Sequence, residues 1–356
     1  METLKKTLFL LLTLYSFLIG IKLIESAFKL FGSGFAEDLI TVTTNPIVGL
    51  FIGILATSLM QSSSATTSII VGLVAGGGVP IVNAIPMIMG ANIGTTVTNT
   101  IVSMAHVRRR EEFKLALSGA TVHDFFNIIA VIILLPIEYF THILEISATY
   151  LAEIFFDTGG ITLAAPLKIA VTPVVNAISS VVSDSGPLML ILGLVILFGS
   201  LRYIVKIMKS LIMTKMEVFI DKYLFKTVIT SFLVGAIFTA LVQSSSVTTS
   251  LVVPLIGSGM LTVEKIFPYM IGANIGTTIT AILASLVTAS KPAVTIAFVH
   301  LIFNMFGIII LYPLKFIPIG ISKKFAAFAS EHRWVTIMYL IVAFYAIPLI
   351  VIIILR

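Results

Sequence analysis

One polar sequence occurs twice in a chain that is otherwise strongly apolar. Gln61-Ser62-Ser63-Ser64-Ala65-Thr66-Thr67-Ser68 returns as Gln243-Ser244-Ser245-Ser246-Val247-Thr248-Thr249-Ser250. Gly90-Ala91-Asn92-Ile93-Gly94-Thr95-Thr96 returns as Gly272-Ala273-Asn274-Ile275-Gly276-Thr277-Thr278, and both pairs are 182 residues apart. Two halves therefore share one plan. Each sets a dense run of hydroxyls and amides inside apolar sequence, where unpaired polar groups are costly. Two such runs in one chain point to a ligand that satisfies them.

The rest of the composition fixes the setting. Of 356 residues 58% are hydrophobic and only 11% are charged, against roughly 25% charged in soluble domains. The mean hydropathy is +1.14. Such a chain is all-α and polytopic, a helical membrane protein. It holds no cysteine, which excludes disulfides, iron–sulfur clusters and thiolate zinc sites. Its five histidines do not pair at metal-ligand spacing. The net charge of +6 is dispersed between spans, which suits basic cytoplasmic loops and not nucleic-acid binding. Lys5 and Lys6 precede an apolar run to Ile24 without a small-residue cleavage site. This predicts a retained first span with the N-terminus cytoplasmic, in an inner or plasma membrane.

The halves can be bounded. Inverted repeat 1 covers 1–137, a linker follows at 138–186, repeat 2 covers 187–314, and 315–356 forms a loop and a last span. Gly53 and Gly235 hold the same offset, and His123 and Asn127 align with His300 and Asn304 five residues closer, the gap falling at the turn Arg108–Glu112. The loops differ in charge. Residues 22–45 carry two basic and three acidic side chains, their counterpart 201–226 six and two. The linker 138–186 is acidic and counts as extracytoplasmic, whereas its counterpart 315–333 is basic. By the positive-inside bias, the halves enter the bilayer upside down relative to each other, as in secondary transporters. Arg108–Arg110 reads as a topology anchor. Residues 115–137 and 293–313 read as full crossings, and 337–355 as one more. The arms flanking each Gln-Ser-Ser-Ser run are too short to cross, so re-entrant hairpins are expected at about 45–78 and 226–258. The paired glycines of Gly-Ala-Asn-Ile-Gly predict a broken transmembrane helix in each half, at 80–105 and 262–288.

The serines at each hairpin tip stand where a helix begins. Serine is a favoured N-cap there, and the free backbone N–H groups with the positive end of the helix dipole suit an oxyanion. Gln61, Ser62, Ser63 and Ser64, with Gln243, Ser244, Ser245 and Ser246, are the candidate anion-binding set. No Arg or Lys lies in sequence near either run, so countercharge must come from elsewhere. Sodium ions supply it, held by hydroxyls, amide oxygens and freed carbonyls. Candidate sodium ligands are Ser64, Thr66, Thr67, Asn92, Thr95 and Thr96 in the first half. In the second they are Ser246, Thr248, Thr249, Asn274, Thr277 and Thr278. The competing structural reading is that Ser and Thr in membrane helices pack closely or bond back to the i−4 carbonyl. For His123-Asp124 with Asn127, packing or interfacial hydrogen bonding outweighs a proton relay, since His300 is followed by Leu301 and the acid is not duplicated.

These motifs carry a resemblance. The chain resembles the type II sodium-dependent phosphate cotransporter family and its bacterial members. The likeness rests on both Gln-Ser-Ser-Ser runs, both Asn-Ile-Gly-Thr-Thr segments, Gly119-Ala120-Thr121-Val122-His123-Asp124-Phe125-Phe126-Asn127, Pro254-Leu255-Ile256-Gly257 and His332-Arg333-Trp334. It implies sodium-driven uptake of inorganic phosphate, with the anion between the two hairpins and sodium beside it. Animal members carry a large extracellular loop with a disulfide and glycans, whereas 138–186 is short and cysteine-free. Some bacterial relatives append a soluble helical domain, and no such domain is expected here. One crossing fewer than in the animal proteins is expected, which would put the C-terminus outside.

The expected function is sodium-coupled symport of inorganic phosphate across the bilayer, with Na+ as the co-transported ion and no organic cofactor. A carrier of another oxyanion, sulfate or a dicarboxylate, is the alternative, and a passive anion channel is a further one. An enzyme acting on phosphate groups lacks support, because no carboxylate cluster, His pair or basic clamp lies within the spans. A homodimer is an assembly left open by this reading.

Overall fold

The computed structural model describes residues 2–219 and 227–355, with side chains except at 2–4, 32–33, 35–36, 161–165 and 209–219. Residues 220–226 of the basic stretch 201–226, the last of them the first residue of the expected second hairpin, lie outside these. The described residues are helical and contain no strand. In chain order the helices are α1 Glu2–Thr43, α2 Pro46–Met60, α3 Ser63–Ala75, α4 Ile81–Gly94, α5 Val97–Ser103, α6 Arg110–Thr141, α7 Ile143–Phe155, α8 Ile161–Val181 and α9 Gly186–Phe219. After these come α10 Val228–Val242, α11 Ser245–Ser250, α12 Val253–Gly257, α13 Val263–Thr288, α14 Lys291–Leu311, α15 Phe316–Glu331, α16 Trp334–Ile341 and α17 Ile347–Leu355. Seven segments among the described residues are long and apolar enough to cross a membrane. They include the expected crossings within Arg110–Thr141, Lys291–Leu311 and Trp334–Leu355. The chain is a multi-pass membrane protein.

Both hairpins form, and local chemistry explains their shape. Asn45 caps α2 by accepting from the Ile47 N–H, with Pro46 in the first turn, where a missing N–H costs nothing. The chain bends by 99° there. At 15 residues, α2 spans roughly 22 Å at 1.5 Å per residue, short of a ~30 Å hydrocarbon core. It stops at Gln61, which is left-handed (φ 53°, ψ 27°). Ser62 then caps α3 by accepting from Ala65 N–H. In the second copy Gln243 is left-handed (φ 57°, ψ 28°) and Ser244 caps α11 by accepting from Val247 N–H.

The two halves are related by reciprocal contacts. The first helices, α1 and α9, lie along each other, with Gly20 against Gly193 and Leu197. The linker helix α7 packs on α14 of the second half, and α15, its counterpart, packs on α6 of the first. Lys291 at the start of α14 pairs with Glu153 of α7, as Arg110 at the start of α6 pairs with Glu331 of α15. Matching elements of the two halves meet in exchanged positions. The linker 138–186 is thus largely helical, and its α7 is part of the packed body.

The glycines work differently from expectation. In the first half the helix is interrupted at Thr95–Thr96, between α4 and α5. In the second, α13 runs unbroken through Gly272–Thr278. The break predicted there is absent, because the glycines serve packing and not flexibility. A Cβ on Gly53 would lie 2.1 Å from the Met87 carbonyl oxygen, and one on Gly90 2.0 Å from that of Leu50. Gly235 and Gly272 meet Tyr269 and Phe232 in the same way, each at 2.1 Å. Small residues four apart let membrane helices touch backbone to backbone, and Gly90/Gly94 and Gly272/Gly276 do this in both halves. The second half breaks elsewhere, between α11 and α12. Pro254 stands there and cannot donate to the Ser250 carbonyl, whereas Gly72 occupies the matching position of the unbroken α3. Gly90→Ala is therefore expected to lower stability by about 3 kcal/mol or more. Gly320→Ala, with open space at its Cβ, should be neutral or stabilising by up to ~1 kcal/mol. Thermal unfolding in detergent compares them.

Candidate functional site

The two hairpin tips meet. Ser64 Oγ donates to the Gln243 carbonyl oxygen at 3.0 Å and lies 3.4 Å from Thr280 Oγ1. Ser246 Oγ, its counterpart, donates to the Thr95 carbonyl oxygen at 3.3 Å. That carbonyl sits at the α4–α5 interruption, so a hydroxyl of the second tip takes up an oxygen that a continuous helix would use internally. Ser63, Ser64, Ser245 and Ser246 are buried. The tips lie inside the protein, Ser64 against Gln243 and α13 of the second half, Ser246 against the α4–α5 interruption of the first.

The glutamines are held alike. Gln61 Oε1 accepts from Thr98 Oγ1 and Gln243 Oε1 from Thr280 Oγ1, both at 2.7 Å. Each Nε2 bonds back to its own helix, at Ser58 and Ala240. A carboxamide has two N–H bonds and two acceptor lone pairs, so half of each capacity stays open. Among the described residues no hydrogen bond engages the Ser63 or Ser245 hydroxyl. Ser63 and Ser64 also stand in the first turn of α3, whose backbone N–H groups have no intrahelical acceptor.

Other predicted residues divide in two. Ser62 and Ser244 are spent as caps. The hydroxyls of Thr67, Thr95, Thr96, Thr248, Thr277 and Thr278 bond back to carbonyls of their own helices, the structural role weighed for them. Thr66 bonds Ser62 and also accepts from Thr57 at 2.8 Å. Thr249 reaches across to Asn99 Oδ1 at 3.0 Å. Asn92 and Asn274 form the centre of a crossed arrangement. His123 Nε2 lies 2.6 Å from Asn274 Oδ1, and Asn274 Nδ2 donates to Asn127 Oδ1 at 2.9 Å. Reciprocally, His300 Nε2 and Asn304 Nδ2 both lie 3.4 Å from Asn92 Oδ1. The carboxamide oxygen can only accept, so His123 Nε2 carries the proton. Each Asn from one half is thus clasped by a His and an Asn of the other, and all six are buried.

Asp124 entered the sequence reading only as part of a packing or relay group beside His123, and not among the candidate ion ligands. Asp124 is completely buried. Its Oδ2 accepts from Tyr339 Oη at 2.9 Å, and Thr96 and Thr100 face it. Its Oδ1 has no partner among the described residues, nor have Asn99 Nδ2, Thr100 Oγ1 and Thr336 Oγ1. Buried carboxylates are paired or hold a cation. The sequence did signal it: Asp124 is the one place where the His-x-x-x-Asn motif of the first half carries an acid and the second carries Leu301.

Fold and site together define a polytopic helical membrane protein of two interlocked halves, each offering a polar hairpin tip to the other. The chain belongs to the Na+/Pi-cotransporter family, whose profile matches residues 16–167 and 195–349. It is 34% identical to sodium-dependent phosphate transport protein 2B of Homo sapiens over 435 aligned residues, covering 94% of this chain and 63% of the relative. It is likewise 34% identical to protein 2A of Rattus norvegicus (94% and 65%) and to protein 2A of Ovis aries (97% and 67%). The chain thus spans about two thirds of the length of these relatives. No solved structure matches it.

The crossed Asn arrangement and the back-bonded threonines differ in what their loss removes. Asn274→Ala strands His123 Nε2 and Asn127 Oδ1, which should cost about 1–3 kcal/mol for each buried group left unpaired. Thr277→Ala removes only a back-bond and should cost under about 1 kcal/mol. Sodium-free thermal unfolding in detergent separates the two.

Proposed function

We propose that the protein is a secondary carrier that couples sodium entry to uptake of inorganic phosphate. The supporting observation is the contact of Ser64 with the Gln243 carbonyl, which joins the two Gln-Ser-Ser-Ser tips in a buried place. Phosphate lies between them, taking donors from the Ser63 and Ser245 hydroxyls, the open amides of Gln61 and Gln243 and the first-turn N–H groups of α3. The remaining predicted set, Ser62, Ser64, Ser244 and Ser246, shapes the tips through caps and cross-contacts.

An unneutralised dianion there would face a desolvation cost on the order of tens of kcal/mol. Sodium lowers it. The first cation seat is Asp124 with the hydroxyl oxygens of Thr96 and Thr100, and it has no charged counterpart in the second half. The threonine and asparagine oxygens around Thr66, Asn92, Thr95, Thr249, Asn274 and Thr277 form neutral seats. Cation and anion favour each other's binding by the same factor, and this reciprocity couples their fluxes. The halves are inverted in the membrane, the N-terminus is cytoplasmic and the linker extracytoplasmic. The hairpins move against the remaining helices to alternate access. No bond of the substrate is made or broken, so the role is transport and not catalysis.

Proteoliposomes with an inward sodium gradient test this reading. Labelled phosphate should accumulate only with sodium, saturably, and excess sulfate or dicarboxylate should leave uptake intact. Gln61→Ala and Gln243→Ala should each lower it at least about tenfold, the factor corresponding to 1.4 kcal/mol, while the protein still folds. Uptake that ignores sodium, or that excess phosphate does not compete away, contradicts the proposal.

A further inference from the structure

The last span, Trp334–Leu355, stands outside the two-fold plan and faces outward along most of its length. It nevertheless sends two phenol groups into the first half. Tyr339 Oη donates to Asp124 Oδ2 at 2.9 Å. Tyr345 Oη donates at 3.0 Å to the Ser58 carbonyl oxygen, the same oxygen that receives the Gln61 amide. Between them the helix widens into a π-turn at Val342–Ala346, a feature often found at functional sites. The Tyr339 ring is packed among Phe125, Phe325 and Phe344, at centroid distances of 6.4, 4.8 and 5.5 Å. These rings hold the half-buried phenol while its hydroxyl holds one oxygen of the carboxylate.

We propose that Tyr339 is a positioning residue for the cation seat at Asp124, and that the last span thereby sets how much sodium the protein needs. This rests on the sodium-coupled reading above. A carboxylate free to turn about its Cβ–Cγ bond must lose that freedom when a cation binds. With Oδ2 anchored to Tyr339, Oδ1 is left without a partner among the described residues, as is the Thr100 hydroxyl, and Thr96 and Thr100 both stand beside the carboxylate. The seat is arranged before the ion arrives, so less of the binding free energy is lost to ordering. The arrangement has no equivalent in the second half, where Leu301 replaces the acid and no phenol is required. Asp124 and Tyr339 are 215 residues apart; the acid has no match in the second half, and the phenol comes from the span that belongs to neither half.

Tyr339→Phe removes one oxygen and keeps the ring in its packing. The expected result is that the sodium concentration giving half-maximal phosphate uptake rises about tenfold, with phosphate half-saturation at saturating sodium unchanged. A merely structural role would instead lower the maximal rate or the yield and leave sodium dependence alone. A second measurement needs only folded protein: sodium-dependent thermal stabilisation in detergent of the wild type, Tyr339→Phe, Asp124→Asn and the double variant. If Tyr339 acts through Asp124, the Phe substitution weakens the sodium effect in the wild type and adds nothing in the Asn background. Equal sodium dependence of Tyr339→Phe and wild type, or additive effects in the cycle, overturns the proposal. Absence of sodium-dependent uptake by the wild type itself would instead contradict the transport reading.

Discussion

A hydroxyl or amide buried inside a membrane protein must find a partner, and here the partners come from the other half of the chain. Ser64 rests on the Gln243 carbonyl, Ser246 on the Thr95 carbonyl, and each core Asn on a His from the opposite half. Neither half could bury its own polar tip alone at acceptable cost. The same reciprocity runs outward to the linker helices and their terminal ion pairs. Duplication is thus the means by which polar groups are satisfied in an apolar setting, as well as a record of how the chain was assembled.

Three kinds of residue keep this arrangement in place. Glycines at Gly53, Gly90, Gly235 and Gly272 let each hairpin's first arm lie with its backbone on the following helix, which fixes where the tip ends. Left-handed Gln61 and Gln243 then turn the chain, and the serine caps start the returning arm. A non-glycine residue at positive φ carries strain, which persists only where its surroundings hold it. Each Gln is pinned by a threonine 37 residues onward. The strained turns are therefore also the points at which the side chains proposed to bind the anion are aimed.

Much of this could be read from sequence. The repeat, its offset, the hairpins, the position of their tips and the family all follow from two short motifs, because capping serines and a polar run flanked by short apolar arms act locally. The glycines of Gly-Ala-Asn-Ile-Gly were ambiguous, since a residue that loosens a helix is also one that lets another helix approach. Only the neighbouring backbone decides between them, and it chose approach in α13. The His–Asn cross and the Asp124–Tyr339 pair were not legible for another reason: their partners lie 147 to 215 residues away. Nothing in the local pattern says which distant phenol will find which carboxylate. The missing acid at Leu301 was visible, but as an irregularity in the repeat and not as a site.

The central claim is that one anion is shared by both tips and is admitted only with sodium. The chain has no cysteine, so Ser63→Cys and Ser245→Cys each carry a single thiol. The most direct measurement is the rate of thiol modification at each position as phosphate is added, with sodium or with choline. Shared binding predicts protection at both positions, at the same half-effective phosphate concentration, in sodium alone. Protection at one tip only, or protection that does not depend on sodium, would contradict it.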